Sequence, residues 1–252
     1  MEKDQSKDRL VDTHAHLDQV DNLLQSLSEA RQAGVRAIVA VGMDLASNKK
    51  TLQIASENPG HVYPALGYHP WEIREPEVEE TLSFVKDHID QCIALGEIGL
   101  DYKAKVRKNL QWKVFGALLD LAFEYNKPVI LHCRFSHQRA LDMVKERNLR
   151  KALFHWYSGT LDLLEKILTA GYFISATPAL TYSPLHQEAI QHAPLKRIFL
   201  ETDCPVNYQG LDSRPRDVQI SLREVVRLKG LDPRVVAEQT TANASGFFGV
   251  RF

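Results

Sequence analysis

Two histidines, His14 and His16, stand two residues apart in the β-rich run LVDTHAHL. Side chains alternate along a strand, so the pair shares one face. Two imidazoles offered from one face form a natural metal chelate. Further ligand-type residues recur along the chain: Glu97 in CIALGEIGL, His132 in PVILHC, His155 in KALFHW and Asp203 in RIFLETD. Singly, most have an ordinary explanation. A histidine on a strand is often a satisfied core residue, and Asp203 could cap the following turn. Glu97 is harder to place that way, because a carboxylate inside an apolar strand needs a partner or a cation to offset its lost hydration. Together the six residues predict a His/Asp/Glu cluster able to hold two divalent metal ions, and with it a metal-dependent hydrolase.

Such a cluster forms only if the runs that carry it are neighbouring strands open at one end. The first strand is predicted over Leu10 to Leu17. A helix follows on Leu23, Leu24, Leu27 and Ala30, with Gly34 as its stop. VRAIVAVG (Val35–Gly42) reads as a buried strand, and the next helix is expected to be N-capped by Ser47 and stopped by Pro59-Gly60. HVYPALGYHP, CIALGEIGL, PVILHC, KALFHW, YFISAT and RIFLETD supply strands three to eight. Between them, helical spacing is kept by Val78, Leu82, Val85 and Ile89, then by Val114, Phe115, Leu118, Leu119 and Ala122. Ala140, Leu141 and Val144 mark the next helix, Leu161, Leu164, Ile167 and Leu168 the one after, and Pro184 opens a short one. Two helices close the chain, the last with Asp232 as N-cap and Pro233 in its first turn.

Eight strand–helix units with continuously apolar strands mean parallel pairing covered on both faces. The expected fold is α/β: a (β/α)8 TIM-type barrel, with residues 1–252 forming a single hydrolase domain. The six candidates then fall at C-terminal strand ends, where barrel enzymes place catalytic groups. The longest irregular segment, Cys204 to about Asp217, belongs to the same rim.

Composition narrows the function classes. A formal net charge of −1 provides no general basic field, so any phosphate affinity must be local. No apolar run approaches the ~18 residues that span a bilayer, so no membrane partner is expected. The opening MEKDQSKDRL lacks the apolar core of a secretory signal. Cys92, Cys133 and Cys204 are odd in number and widely spaced, as expected of reduced thiols in the cytoplasm. No strand is followed by GxGxxG, which argues against a Rossmann-type oxidoreductase. A monomer is compatible with all of this.

In order, DTHAHLD, GYHPW, ALGEIGLDY, VILHCR, FHWYSG and FLETDCP resemble the TatD family of metal-dependent deoxyribonucleases, within the amidohydrolase-like barrels. TTANASGFFG is similar to that family's closing helix, so the resemblance spans essentially the whole chain. It implies hydrolysis of nucleic-acid phosphodiesters, usually by 3′–5′ exonuclease action, with single-stranded DNA ends as the expected partner. By position it implies that His14, His16 and Asp203 hold one metal ion. Glu97 would bridge to a second, completed by His132 and His155, and Asp203 would also take the proton of the attacking water. Elementary chemistry agrees, since a carboxylate can bridge two cations whereas an imidazole binds one. Four histidines suit zinc or manganese, while the family's activity is commonly supported by magnesium.

Neighbouring residues are candidates for holding substrate. His69 is expected to contact a phosphate or protonate the leaving oxygen in preference to binding metal. Arg134, just after His132, could meet a phosphate or make a rim salt bridge. Ser158 and Gly159 precede a helix whose N–H groups could face an anion, or simply cap it. Lys103, Lys105, Arg107 and Lys108 run into a helix N-terminus against its dipole, as a ligand-facing or a merely solvated stretch. The chain departs from the family pattern at Trp156-Tyr157, at SATPAL, at Leu118 and at Arg214-Pro215-Arg216, all expected where substrate is held. Two alternatives remain: a metal-dependent amidohydrolase or esterase acting on a small acyl or ester substrate, and a catalytically weak nucleic-acid-binding barrel.

Overall fold

In the computed structural model, which describes residues 10–252, eight strands pair side by side in chain order, all parallel. They are β1 (Leu10–Ala15), β2 (Val35–Val41), β3 (Val62–Tyr68), β4 (Ala94–Asp101), β5 (Val129–Arg134), β6 (Ala152–Phe154), β7 (Phe173–Ala176) and β8 (Ile198–Leu200). The helices α1 (Leu23–Gln32), α2 (Leu45–Glu57), α3 (Val78–Asp87), α4 (Lys108–Glu124), α5 (His137–Glu146), α6 (Leu161–Thr169) and α7 (Pro184–His192) alternate with them. After β8 a small antiparallel hairpin, β9 (Asn207–Tyr208) and β10 (Leu211–Asp212), precedes α8 (Val218–Lys229) and α9 (Pro233–Phe248). The expected TIM-type barrel is therefore observed. The run considered as a secretory signal falls, apart from Leu10, on residues 1–9 and lies outside the described residues.

Strand alternation divides the apolar residues into two cores. Leu10, Ile38, Leu66, Leu95, Leu131 and Leu200 pack toward the helices. Val11, Val39, Ala65, Ile130 and Phe199 fill the barrel interior together with Phe247 and Phe248 of α9. His132 keeps the parity of inward Ile130, His155 that of Leu153, and Asp203 that of Phe199. His14 and Glu97 do not: strict alternation from Leu10 and Leu95 would send both toward the helices. The register of β1 slips between Asp12 and Ala15, and that of β4 between Leu95 and Ile98. Such irregularities re-aim side chains, and here they turn His14 and Glu97 inward.

Several local expectations change. The N-cap of α2 is Asp44, not Ser47: the Asp44 carboxylate accepts from the Ser47 N–H at 2.8 Å, and Ser47 Oγ accepts from the Asp44 N–H at 2.8 Å, a reciprocal capping box. Leu24 is 82% exposed, because the buried face of α1 runs through Leu27 and Ala30 and Leu24 lies off it. Glu97 is not the end of its strand. β4 continues to Asp101, whereas β6 and β8 stop at Phe154 and Leu200 and leave His155 and Asp203 in the segments beyond.

The inward turn of β4 needs room. Buried Asn48 of α2 grips β3 by donating from Nδ2 to the Gly67 carbonyl at 2.7 Å and accepting the Gly67 N–H at 3.0 Å. A Cβ on Gly67 would lie 2.4 Å from the Glu97 carbonyl oxygen, so β3 can approach β4 there only as glycine. Gly67→Ala is expected to cost about 1–3 kcal/mol of stability in urea denaturation, a typical overpacking cost, and to weaken metal retention because Glu97 must move. Wild-type stability in that variant would show that β4 yields freely at this point.

Candidate metal centre

The barrel closes at its catalytic rim, where β1 meets the chain leaving β8. Asp203 N–H donates to the His14 carbonyl at 2.9 Å, and His16 N–H donates to the Cys204 carbonyl at 2.8 Å. Buried Asp12 takes the Thr202 N–H at 2.9 Å and the Thr202 hydroxyl at 2.6 Å. Three ligand candidates are thus fixed by the backbone bonds of the closure itself. Asp203 is held at a φ of 53°, a left-handed conformation that a non-glycine residue adopts only when its surroundings impose it.

The side chains converge from there. His14 Nε2 lies 3.4 Å from His16 Nε2, 3.3 Å from Glu97 Oε2 and 3.4 Å from Asp203 Oδ1. His16 Nε2 lies 3.3 Å from the same Glu97 oxygen and 3.4 Å from the same Asp203 oxygen. Tetrahedral ligands about 2.0–2.1 Å from a cation are separated by about 3.3–3.4 Å, so these four lone-pair donors fit the shell of one ion. The other oxygen, Glu97 Oε1, faces His132 Nδ1 and His155 Nε2, each at 2.8 Å. The other five predicted metal-type residues therefore gather around the buried Glu97 carboxylate, whose two oxygens face different histidines.

The electrostatics express a demand for positive charge. Burial opposes a charged His16, yet hydrogen bonds to Asp203 and Glu97 overrule it and push the imidazole up to about 10. His132 and His155 also rise against burial, His132 chiefly through its bonds to Asp101 and Glu97, His155 through the nearby Glu97 charge. Glu97 and Asp203 are held below the usual carboxylate range against burial, Glu97 by the surrounding histidines and Asp203 first by its bond to His16. Divalent cations would satisfy this field with the imidazoles neutral, and the donor set fits them.

Three further carboxylates were missed in the sequence. Asp101 Oδ2 sits 3.1 Å from His132 Nε2 and accepts the Trp71 indole N–H. Buried Gln111 of α4 pins the same strand end, accepting from Asp101 N–H at 2.8 Å and donating to its carbonyl at 2.9 Å. Glu201 Oε1 lies 3.3 Å from His155 Nδ1 and accepts the Trp156 N–H at 3.1 Å. Asp12 organises Thr202. Asp101 and Glu201 each hold an imidazole of the cluster, as outer carboxylates do in metal sites, and Glu201 also lies close enough to His14 and His155 to share a cation with them. The clue available was a second acidic residue near each ligand, in GEIGLD and FLETD, and nothing in the sequence distinguishes a ligand from its support.

His69 Nδ1 accepts the Trp71 backbone N–H at 3.2 Å, so the ring proton sits on Nε2, 3.5 Å from Glu97 Oε1. Burial pushes the imidazole down to about 4, which keeps it neutral. A protonated Nε2 is a hydrogen-bond donor with no lone pair for a cation.

A cavity of about 620 Å³ opens onto the cluster, lined also by Trp71, Arg134, Trp156, Ser158, Ala179 and Tyr182. Gly159 does not line it. A Cβ there would meet the Tyr157 hydroxyl at 2.5 Å, so the glycine accommodates that hydroxyl, which donates to the Thr160 carbonyl. Of the departures from the family pattern, Trp156 and Ala179 reach the cavity. Leu118 is fully buried in the helix-facing core. Arg214 and Arg216 are also away from the cavity, because their loop folds back on α1, where they meet Ser26 and Glu29.

With this geometry, comparison with known proteins is informative. A family model described as TatD related DNase matches residues 11–249. The human "Deoxyribonuclease TATDN3" is 30% identical over 258 residues, covering 95% of this chain and 94% of that protein. The "3'-5' ssDNA/RNA exonuclease TatD" of Erwinia tasmaniensis is 31% identical over 241 residues, covering 89% and 92%. The crystal structure of YJJV, a TatD homolog from Escherichia coli, superposes with a TM-score of 0.87 at 28% identity and covers 96% and 99% of the two chains. The chain belongs to the TatD related DNase family of metal-dependent hydrolases. Among the described residues no helix is long and apolar enough to cross a membrane, and the three cysteines are free.

Two expectations follow from these contacts. Asp101→Asn should lower metal affinity by about 10–100-fold in competition with a chelator while the circular dichroism spectrum is kept, because His132 loses the charge that orients it. Unaltered affinity would remove that role from Asp101. The second concerns His186, fully buried, which donates from Nδ1 to the Tyr157 carbonyl at 2.7 Å and accepts the Thr177 N–H at Nε2. Burial pushes it down to about 4. Between there and its unfolded value of about 6.5 the unfolded chain binds the extra proton, so stability is full above about 6.5 and declines as pH falls toward 4. His186→Gln should lose less stability than wild type over that window in urea titrations, and parallel losses would exclude the contribution.

Proposed function

We propose that the protein hydrolyses phosphodiester bonds of DNA, removing nucleotides from the 3′ end of single strands with the help of two divalent ions. The observation that carries this reading is the division of labour at Glu97: Oε2 faces His14 and His16, which also face Asp203 Oδ1, and Oε1 faces His132 and His155. In this reading His14, His16 and Asp203 would hold one ion and His132 and His155 the other, with Glu97 shared between them. Such ions polarise a phosphodiester and make water more acidic when bound. The rest falls to the chain. Asp203, ionised and on the cavity wall, takes the proton of the attacking water. His69 stays neutral and directs its Nε2–H to a phosphate oxygen, which favours a positioning role over protonation of the leaving oxygen. Arg134 at the rim meets a neighbouring phosphate. Zinc and manganese match the histidine-rich donors better than magnesium.

The choice of DNA ends rests on family membership and on the relatives named deoxyribonuclease and 3'-5' exonuclease. Free thiols beside the site are in keeping with a cytoplasmic setting.

Metal-free protein titrated with Mn²⁺ should bind about two ions per chain and then shorten 5′-labelled single-stranded DNA from its 3′ end. Glu97→Gln should lose the second equivalent and at least about a hundredfold of activity. Asp203→Asn should keep most of its metal while kcat falls by roughly 10²–10⁴, the usual worth of a general base. Saturation at one ion would overturn the bridged pair, and full turnover in metal-loaded Asp203→Asn would overturn its role as base.

A further inference from the structure

Phe135 immediately follows Arg134 of the cavity rim, yet the residue is 68% exposed and its backbone sits at a φ of 56°. A large apolar ring in water on a left-handed backbone is unfavourable twice over, and neither feature serves the core. Such combinations concentrate where a residue meets a ligand. The Lys103 ammonium lies over this ring, 5.2 Å from its centroid. Beside it, Lys108 lies over the ring of Tyr102 at 4.3 Å. The Tyr102 hydroxyl accepts the Trp112 indole N–H at 3.1 Å, and Arg139 lies 5.4 Å over the Trp112 ring. Tyr102 and Lys103 are consecutive, and the Tyr102 N–H donates to the Arg134 carbonyl at 3.0 Å, so these cations and rings lie together beside the cavity mouth. Arg107 of the same loop is already paired with Glu75 at 2.8 Å and takes no part.

We propose that Phe135, Lys103, Tyr102, Lys108, Trp112 and Arg139 form a track that binds the single-stranded nucleic acid trailing from the scissile end. The occupant follows from the chemistry. Aromatic faces accept bases of any sequence, and interleaved cations accept the phosphates between them. A protein with a net charge of −1 can retain a polyanion only through such a local stripe. An ammonium covers at most one face of the Phe135 ring, which leaves the rest for a base. The proposal rests on the phosphodiesterase reading above and adds how the substrate is held outside the cavity.

The test compares a labelled oligothymidylate with bis(p-nitrophenyl) phosphate, a small phosphodiester with no strand to trail. Phe135→Asn removes the ring and suits the left-handed backbone. It should raise KM for the oligonucleotide about tenfold while leaving hydrolysis of the small diester unchanged, and Phe135→Tyr should restore KM. Lys103→Gln should flatten the dependence of log KM on log salt by about one unit. An unchanged oligonucleotide KM in both Phe135→Asn and Lys103→Gln would overturn the track, as would equal damage to both substrates. Wild-type protein that cleaves the small diester and leaves the oligonucleotide intact would instead overturn the nucleic-acid reading, and the track with it.

Discussion

Strand β1 and the chain leaving β8 are joined by bonds from residues of the His/Asp/Glu cluster itself. The His14 carbonyl receives the Asp203 N–H, the His16 N–H reaches Cys204, and Thr202 is clasped by Asp12. In most barrels the strand ladder closes the sheet and the loops then carry the chemistry. Here β8 ends at Leu200, and the final closure is made three to four residues later, at the site. Closure of the fold and placement of Asp203 are consequently one event. Loosening the seam would open the barrel and scatter three lone-pair donors together.

What the seam assembles is an excess of negative charge and lone pairs in a buried place. Glu97, Asp203 and Glu201 lie within a few ångströms of five histidines, and Glu97 and Asp203 stay ionised although burial opposes it. Desolvated carboxylates of this kind persist only with cations or donors around them. Asp101, Glu201 and Asp12 hold His132, His155 and the Asp203 segment from behind, so the groups facing the cavity are left with unshared electron pairs. Such an arrangement is costly without cations and stabilising with them, which ties the stability of the rim to its chemistry.

The rim beyond the cluster is built from different material. Trp71 is tied by its indole N–H to Asp101, which holds His132, and its backbone N–H sets the tautomer of His69, so one residue couples the aromatic wall to both of those histidines. Phe135 and Lys103 stand just outside, where neither stability nor closure requires them. This separation lets the cavity wall at Trp156 and Ala179 differ from the family pattern without disturbing the cluster.

The eight strand–helix units, their parallel order and the six ligand-type residues were legible in the sequence, because hydrophobic period and residue chemistry are local properties. Helix faces at Val114, Leu118 and Ala122, and the Asp232-Pro233 start of α9, were legible for the same reason. The inward direction of His14 and Glu97 was not. It depends on register slips in β1 and β4 that contradict the alternation of their own strands, and those slips are decided by pairing with β2, β3 and β5. Nor could sequence separate Glu97 from Asp101, or Asp203 from Glu201, since each pair is two carboxylates on one short run. Which of them sits among several imidazoles and which holds a single ring from its other nitrogen is a matter of where oxygens converge. Arg214 and Arg216 show the same limit: a basic stretch expected near substrate turns back onto α1, because Ser26 and Glu29 lie within its reach and the cavity does not. Residue type and period belong to the chain alone, whereas the direction of a side chain is set by the strands packed beside it.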